Sequence, residues 1–337
     1  MRCKLLSLIV GCCLLVVAFI SPARAETAQI RFAVGPSLTY LVFAVMEKEK
    51  LVQKHAIANG LPEPAVSYLK LASNDGIRDA LLSGSVEIGN MGVPAFLPLW
   101  EKSKGGSQEV RGVGAFNALP LVLVTSNPNV KTIADFTDKD RIAVPGVLNS
   151  TQAYVLQMAA EKAFGAGHHR KLDTLTISRG HPDAMAAMLQ PGSEITAHFS
   201  APPFSNIALA KPGIRKILTT HEVYNGPGTN GVAVALKSFH DANPKSYAAV
   251  VAAMKEGMAM INADRRRVAE IYIDVIKDKA GVDAVHKILD APDMVFSLTP
   301  NGAKQVADFM HRIGTLKSKP QSWKDLFFPE IHDLPGS

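Results

Sequence analysis

Short β-prone runs alternate with helix-length stretches twice along this chain of 337 residues, and this alternation is the strongest constraint on its fold. The β-prone runs cover residues 30–34, 65–72, 84–92 and 109–116 in the first series and residues 142–144, 172–177, 195–199 and 214–218 in the second. Strands that alternate with helices form a largely parallel sheet with helices on its faces. We therefore expect an α/β protein with two mostly parallel sheets.

The chain is too long for one compact core, so two lobes are expected. Residues 121–125 form a β-prone run that would leave the first lobe, and residues 231–236 form another that would return the chain to it. From residue 241 onward apolar residues recur at helical spacing, which predicts helices packed on the outside of the lobes. The predicted division is lobe 1 from residues 26–120 and 230–337 and lobe 2 from residues 121–229, joined by two crossing strands.

The first 25 residues have the pattern of a secretory signal peptide. Arg2 and Lys4 precede an apolar run over residues 5–20, and Ala23-Arg-Ala25 matches an Ala-x-Ala cleavage signature. The run is shorter than the roughly 20 residues that a membrane-spanning helix needs. We predict cleavage after Ala25 and a periplasmic mature protein. An alternative is lipoprotein processing, because Ile-Val-Gly-Cys at residues 9–12 resembles a lipobox.

All three cysteines, Cys3, Cys12 and Cys13, fall inside the predicted signal peptide. The mature chain would therefore have no disulfide, no thiolate nucleophile and no cysteine-ligated metal. Cleavage would also remove basic residues and no acidic ones from a chain whose formal net charge is +6. What remains has no basic tract of the kind that nucleic-acid binding needs, so no nucleic-acid partner is predicted.

One stretch, residues 141–165, predicts a strand, a tight turn and a capped helix in succession. Residues 142–144 are β-prone, and the Pro145-Gly146 pair ends them. Asn149 is a good N-cap, and Gln152 follows at the spacing of a reciprocal capping box. The sequence therefore predicts a helix that begins close to the end of a strand.

The start of this helix is a candidate ligand site. Free backbone N–H groups and the helix dipole favour a negative or strongly hydrogen-bonding ligand atom there. The hydroxyls of Ser150 and Thr151 lie in the first turn and can add to these groups. Asparagine, serine and threonine are also common at any helix start, so a purely structural role stays open. A second helix-start signal, residues 73–75, follows a β-prone run in the first series.

In parallel sheets, ligands bind beyond the carboxyl ends of the strands. The loops predicted at those ends are mostly Ser, Thr, Asn, Gly, Tyr and Phe, with few charges. Such a lining suits a small organic ligand with one polar or anionic head and an apolar or aromatic body. The candidate ligand-binding residues are Ser37, Leu38, Tyr40, Asn74, Asn90, Met91, Asn117, Asn149, Ser150, Thr151, His198, Phe199 and Ser200.

The sequence contains no common catalytic motif: no G-x-S-x-G elbow, Walker A loop, H-E-x-x-H helix or C-x-x-C pair. His198 and Ser200 are two residues apart on a predicted strand without an obvious acid, which argues against a nucleophilic pair. His198 is either a structural residue or a hydrogen-bonding group at a strand end. Asp75 and Asp183 both have capping interpretations, so neither indicates acid–base chemistry. We predict a protein that is not an enzyme and has no catalytic residue, cofactor or metal site.

Several segments in order resemble the nitrate/sulfonate/taurine family of periplasmic substrate-binding proteins of ABC transporters. Residues 30–36, IRFAVGP, are similar to the family's first strand and loop. Residues 80–89, ALLSGSVEIG, resemble its ALxxGxVDxG segment. The KTIADF run at residues 131–136, followed by RIAV at residues 141–144, resembles its Asp-Leu step into a strand. AHFSAPP at residues 197–203 stands where the family has a strand end followed by Pro-Pro.

The resemblance covers nearly the whole mature chain and implies the type II periplasmic binding protein fold of the thiamine-pyrimidine-synthase-like superfamily. Two α/β lobes would close on the ligand by hinge motion. The protein would act as a monomer that delivers a small molecule to an ABC permease and its ATPase. The helix start in the second lobe (Asn149, Ser150, Thr151) would hold an anionic head, and loops of the first lobe would supply Ser37, Tyr40, Asn74, Asn90 and Asn117.

Departures from the family pattern bear on the ligand. Thr137-Asp-Lys-Asp140 replaces the family's usual Gly-Lys, and Arg179 is the only arginine in the predicted second-lobe loops. The aromatic residues Tyr40, Phe116 and Phe199 indicate an organic ligand larger than nitrate.

Two alternatives to a transport component stay open at this point. One is an enzyme on the same fold that acts on a small aromatic or pyrimidine compound. The yeast-type thiamine-pyrimidine synthase is similar in fold but carries a cysteine-rich motif, which the mature chain here lacks. The other is a ligand sensor for a membrane receptor, which the sequence does not separate from a transporter component.

Overall fold

The computed structural model describes residues 26–35, 37–71, 73–277 and 280–337, and its strands form two separate five-stranded sheets. The predicted signal peptide, with its three cysteines, lies outside the described residues. The strands are β1 (Gln29–Val34), β2 (Ala65–Lys70), β3 (Ile88–Gly92), β4 (Val110–Asn117), β5 (Val122–Thr125), β6 (Ile142–Val144), β7 (Thr176–Ser178), β8 (Ala197–Ser200), β9 (Arg215–Thr219) and β10 (Gly231–Leu236).

The helices alternate with the strands and then continue to the end of the chain. They are α1 (Leu41–Lys48), α2 (Leu51–Ala58), α3 (Asn74–Leu82), α4 (Val93–Ser103), α5 (Thr151–Phe164), α6 (His181–Met188), α7 (Phe204–Leu209), α8 (Thr220–Tyr224), α9 (Lys237–Ala242), α10 (Pro244–Ala263), α11 (Arg265–Ile276), α12 (Val282–Leu289) and α13 (Ala303–Arg312). Short 3-10 helices lie between some of these elements. None of the helices in the described ranges is both long and apolar enough to span a membrane.

Both sheets are mostly parallel, with one antiparallel strand each. The first sheet has the order β2-β1-β3-β10-β4, and the second has the order β7-β6-β8-β5-β9. Strand β10 runs antiparallel to β3 and β4, and β5 runs antiparallel to β8 and β9. The chain passes from the first sheet to the second at β5 and returns to the first sheet at β10. The predicted α/β class with two crossing strands is therefore confirmed, while the lobe boundaries near residues 120 and 230 stay a prediction.

Helices cover both faces of the first sheet. Side chains alternate along a strand, so neighbouring residues of β1 enter different cores. Phe32 belongs to a buried cluster with residues of α1, α10 and α11, whereas Ala33 belongs to one with Ile77 of α3 and Phe96 of α4. Because helices cover both faces of the sheet, a ligand-binding site is expected at the carboxyl ends of its strands.

The prediction of a strand over residues 172–177 is mostly wrong. Residues His169–Leu175 form a 3-10 helix, and only the short β7 follows it. Leu172 and Leu175 are both buried, and their spacing of three places them on one side of a 3-10 helix. The helix-length stretch after the first strand forms two helices, α1 and α2, because Lys50 between them adopts a left-handed conformation.

Candidate ligand-binding cleft

The carboxyl ends of the parallel strands in both sheets surround one cavity of about 150 Å³. From the first sheet it is lined by Met91 and Gly92 at the end of β3 and by Phe116 and Asn117 at the end of β4. From the second sheet it is lined by Pro145, Gly180 and Ala201, which lie in the segments after β6, β7 and β8. A cavity of this size has accommodated benzene in another protein. The position therefore suits a small ligand held between the two sheets.

Many of the sequence-predicted residues meet at this cavity. Those that line it are Ser37, Tyr40, Asn74, Met91, Asn117, Ser150 and Thr151. They come from distant parts of the chain and from both sheets, so the fold brings the two predicted halves of the site together. Their contact with a ligand stays a prediction.

The other predicted residues lie elsewhere. Leu38 and Phe199 are fully buried in the hydrophobic cores, and Ser200 is buried in β8. Asn90 is also fully buried, and its Nδ2 donates to the carbonyl of Ala33 at 2.8 Å, so it joins β3 to β1. Asn149 and His198 stand just outside the lining. Each is hydrogen-bonded to a residue that lines the cavity, Asn149 to Asn74 and His198 to His181.

Helix α5 is capped by Ser150, so the prediction of Asn149 as its N-cap is wrong. Ser150 Oγ accepts a hydrogen bond from the Ala153 N–H at 3.2 Å and donates to the Gly146 carbonyl at 2.6 Å. The first N–H groups of a helix point back along its axis without an internal partner. Thr151 and Gln152 begin α5 and both line the cavity. The α5 start therefore lies at the cavity, and binding of a ligand by its backbone N–H groups stays a prediction.

Replacing Ser150 with alanine should lower the free energy of unfolding by about 1 kcal/mol, because loss of an N-cap side chain typically costs about 0.5–2 kcal/mol. The matched control is Asn149→Ala, which removes a neighbouring polar side chain that does not cap the helix. That change should stay within about 0.5 kcal/mol of the wild type. Urea unfolding of both variants checks the assignment, and an Asn149→Ala loss as large as that of Ser150→Ala would contradict it.

Asn149 links the two sides of the cleft. Its Nδ2 donates to Asp75 Oδ2 at 2.9 Å, and its carbonyl accepts from Asn74 Nδ2 at 2.9 Å. Thr151 Oγ1 donates across the cleft to the carbonyl of Asn230 at 3.1 Å. These bonds join loops of the first sheet to the start of α5, so the structure has the cleft in a closed arrangement.

The wall formed by the first sheet is aromatic and hydroxyl-rich. The rings of Tyr40 and Phe116 lie 5.4 Å apart at 32°. Burial raises the pKa of Tyr40 to about 12, so its hydroxyl stays protonated at neutral pH. Asn117 Nδ2 donates to the carbonyl of Thr39 at 3.0 Å and fixes the loop after β1. Gly231 lets the ring of Phe116 approach β10, because a Cβ there would lie 2.2 Å from the ring.

The wall formed by the second sheet contains residues that were not predicted from the sequence to lie at the site. His181 and Phe204 line the cavity with ring centroids 6.0 Å apart, and Gln152 lies beside them. Burial lowers the pKa of His181 to about 4, so the ring is neutral at pH 7. The one available signal was a Gly-His-Pro sequence directly after a β-prone run. Gln152 was predicted from the sequence only as a partner of the N-cap of α5.

The lining combines neutral donors with aromatic surface. No Asp, Glu, Lys or Arg is among the described residues that line the cavity. No group of three His, Cys, Asp or Glu side chains in the described ranges is arranged to hold a metal ion. The arrangement can hold a small polar-headed molecule through the α5 start and aromatic contacts. Its two titratable rings, Tyr40 and His181, are both uncharged at pH 7.

The chain is similar to known proteins in its three-dimensional structure, whereas the two sequence comparisons give no match. No protein-family model matches the chain, and no curated protein sequence matches it. The alkanesulfonate-binding protein SsuA from Xanthomonas axonopodis pv. citri, solved bound to MOPS, is 16% identical with a TM-score of 0.67, over 86% of this chain and 94% of that chain. The periplasmic nitrate-binding protein NrtA from Synechocystis PCC 6803 is 14% identical with a TM-score of 0.68, over 89% of this chain and 84% of that chain.

A third similar structure comes from a different kind of organism. The CA3427 gene product of Candida albicans, described as having the generic periplasmic binding protein structural fold, is 14% identical with a TM-score of 0.64. The match covers 87% of this chain and 92% of that chain. At such identities the similarity concerns the fold and not the ligand. The chain described here has the periplasmic binding protein fold.

Proposed function

We propose that this chain is the periplasmic solute-binding component of an ABC importer. It captures a small organic ligand between its two sheets and delivers it, as a monomer, to a permease and its ATPase. The observation that carries this proposal is the cavity at which the α5 start meets the strand ends of both sheets. The similar SsuA and NrtA structures, named for alkanesulfonate and nitrate binding, support it.

The chemistry of the lining defines the ligand class. A polar or anionic head would accept hydrogen bonds from the Thr151 and Gln152 amides at the α5 start, where the helix dipole also favours negative charge. An apolar or aromatic body would lie against Tyr40 and Phe116. Phe199, which the sequence suggested as a third aromatic contact, lies in the core and contributes nothing to this surface. The volume of about 150 Å³ limits the body to roughly one ring or a short chain.

Binding would work through closure of the cleft. A ligand shifts an equilibrium between two conformations only by its difference in affinity for them. Tyr40 and Thr151 line the cavity on opposite sides, so a ligand would contact both only when the sheets approach each other. The ligand would therefore favour the closed arrangement, by the hinge closure known for periplasmic binding proteins. A permease could then distinguish the loaded protein from the free one.

Thermal unfolding of residues 26–337 in the presence of candidate compounds tests the proposal. The compounds are aliphatic sulfonates, benzenesulfonate, benzoate and pyrimidines. One that binds should stabilise the protein by about 2.7 kcal/mol at 100 times its dissociation constant, which is a shift of a few degrees. Mass spectrometry should then recover the compound unchanged.

Two outcomes would count against the proposal. Chemical conversion of a bound compound would instead support an enzyme on the same fold. If no compound of these classes shifts the transition, and none co-purifies with the protein, the proposed ligand class is wrong.

A further inference from the structure

Two histidines beside the cleft share one hydrogen bond. His198 is fully buried in β8, the central strand of the second sheet. Its Nε2 lies 2.9 Å from Nδ1 of His181, which lines the cavity. On the other edge of His181, Nε2 lies 3.4 Å from the side-chain nitrogen of Gln152. The order from the core to the cavity is therefore His198, His181 and Gln152.

Both rings are neutral at pH 7, because burial lowers the pKa of His181 to about 4 and lowers the pKa of His198, which the neighbouring His181 ring lowers further. A neutral imidazole has one N–H donor and one nitrogen acceptor. A single proton lies in the shared bond, so only two arrangements exist. Either both rings carry their proton on Nε2, or both carry it on Nδ1.

The surroundings of His198 Nδ1 separate these arrangements. This atom is buried and has no hydrogen-bond partner among the residues that the structure describes. If both rings carried their proton on Nδ1, this atom would be a buried N–H donor without an acceptor, which native proteins rarely contain. With the protons on Nε2, both rings also have the tautomer that a free histidine side chain favours in water. The arrangement with both protons on Nε2 is therefore the stable one.

We propose that His181 is a specificity-determining residue that donates its Nε2–H to an acceptor atom of the ligand, and that His198 is the positioning residue that fixes this tautomer. The inference rests on the proposed function, because it assigns a role within the same cavity. Without a ligand, the Gln152 side chain can accept a hydrogen bond from His181 Nε2–H through its Oε1. This requires the amide to rotate by half a turn, which exchanges an oxygen and a nitrogen of nearly the same shape.

The consequence is a preference for one kind of ligand head. His181 Nε2–H and the amides of Thr151 and Gln152 place several donors at one end of a cavity whose described lining has no carboxylate. A carboxylate or sulfonate offers two or three acceptor oxygens and no proton to donate. An ammonium head has only donors. It would face another donor, the His181 N–H, and could make no hydrogen bond with it. The cleft should therefore bind benzenesulfonate or benzoate and reject benzylamine, which has a similar ring.

The protonation of the two rings can be measured without any ligand. Long-range proton–nitrogen correlation spectra of protein labelled with 15N-histidine show which ring nitrogen carries hydrogen. The His181→Gln and His198→Gln variants assign the two sets of signals. We expect hydrogen on Nε2 of both rings, and hydrogen on Nδ1 of either ring would overturn the inference.

Two variants of His198 test its positioning role. His198→Phe removes the donor to His181 Nδ1, so His181 should lose its single tautomer and show both forms. His198→Gln keeps a side-chain N–H near the same place and should restore the Nε2–H form. A purely structural role for His198 would not produce this pattern. If His181 keeps one tautomer in His198→Phe, the positioning role is wrong.

A binding measurement completes the test. We expect benzenesulfonate to raise the melting temperature and benzylamine to leave it unchanged, and we expect His181→Phe to bind benzenesulfonate about 3–10-fold more weakly, as for loss of one hydrogen bond. Equal affinity in His181→Phe would refute the inference and leave the proposed function standing. Absence of any shift would count against the proposed ligand class, while the ring protonation states would still decide the inference.

Discussion

Replacing Phe327 with alanine is expected to lower the free energy of unfolding by about 3–5 kcal/mol, as for large aromatic side chains removed from a protein core. Phe327 is fully buried, and its ring lies near those of Phe96 and Trp323, with centroids 6.1 and 6.0 Å away. The ring also covers Gly112 of β4, where a Cβ would lie 2.3 Å from it. The next residue, Phe328, donates its N–H to the Gly112 carbonyl at 2.9 Å.

This prediction also tests the proposed assignment of residues 230–337 to lobe 1, because Phe327 packs against β4 of the first sheet near the end of the chain. The matched control is Ile57→Ala, which shortens a side chain that is 53% exposed and should change stability by no more than about 0.5 kcal/mol. Phe327 does not line the cavity, so ligand affinity of the folded variant should be unchanged. A loss below about 1 kcal/mol in urea unfolding would contradict the packing described.

Replacing Gly92 with alanine is expected to weaken ligand binding about 5- to 150-fold while leaving the melting temperature of the free protein nearly unchanged. Gly92 ends β3, and a Cβ built there would lie 2.8 Å from Thr151 Oγ1 on the opposite side of the cleft. The cleft must then open, or Thr151 must rotate and give up its bond to the Asn230 carbonyl. Overpacking of this kind costs about 1–3 kcal/mol, and every 1.4 kcal/mol is tenfold in affinity.

A double-mutant cycle with Thr151→Ala shows whether the contact between the added methyl group and Thr151 Oγ1 is what weakens binding. Thr151→Ala removes the Oγ1 atom that the new methyl group would meet, at the cost of one hydrogen bond across the cleft. In that background Gly92→Ala should weaken binding no further, so the two effects should be strongly non-additive. Isothermal titration with the compound identified by thermal unfolding provides the affinities. Additive effects, or full affinity in Gly92→Ala, would show that the cleft does not close at this point.

The alternation of strands and helices could be predicted because it depends on local patterns. Strand β6 has the predicted bounds, since the Pro145-Gly146 pair ends it directly. The crossing strands β5 and β10 were also found within one residue of their bounds. The run at residues 172–175 was misassigned because leucines three apart fit a short β-prone run as well as a 3-10 helix, and only their packing decides.

The cap of α5 shows a limit of a different kind. Asn149 and Ser150 are equally good N-caps by residue type. The turn after β6 passes through Leu148, whose φ of 62° is left-handed, and this brings Ser150 rather than Asn149 to the helix start. The amide of Asn149 is thereby free to bond Asp75 across the cleft. No local pattern contains that information.

The lining of the cavity could be predicted where a residue ends a strand, as Asn117 does, or lies in the segment after one, as Ser37 and Thr151 do. It was missed where the residue's role depends on the order of strands in the sheet. His181 is near His198 because β7 and β8 both pair with β6, although the two histidines are 17 residues apart in the chain. Asn230 reaches the cavity because β10 returns to the first sheet beside β3.

A crystal structure of residues 26–337 with the compound that raises the melting temperature most tests the central claim directly. We expect the compound to lie between the two sheets, with its head at the Thr151 and Gln152 amides and its body against Tyr40 and Phe116. A compound bound elsewhere, for example in the groove between α5 and α13 lined by Glu161 and Arg312, would contradict the proposed site and the function built on it.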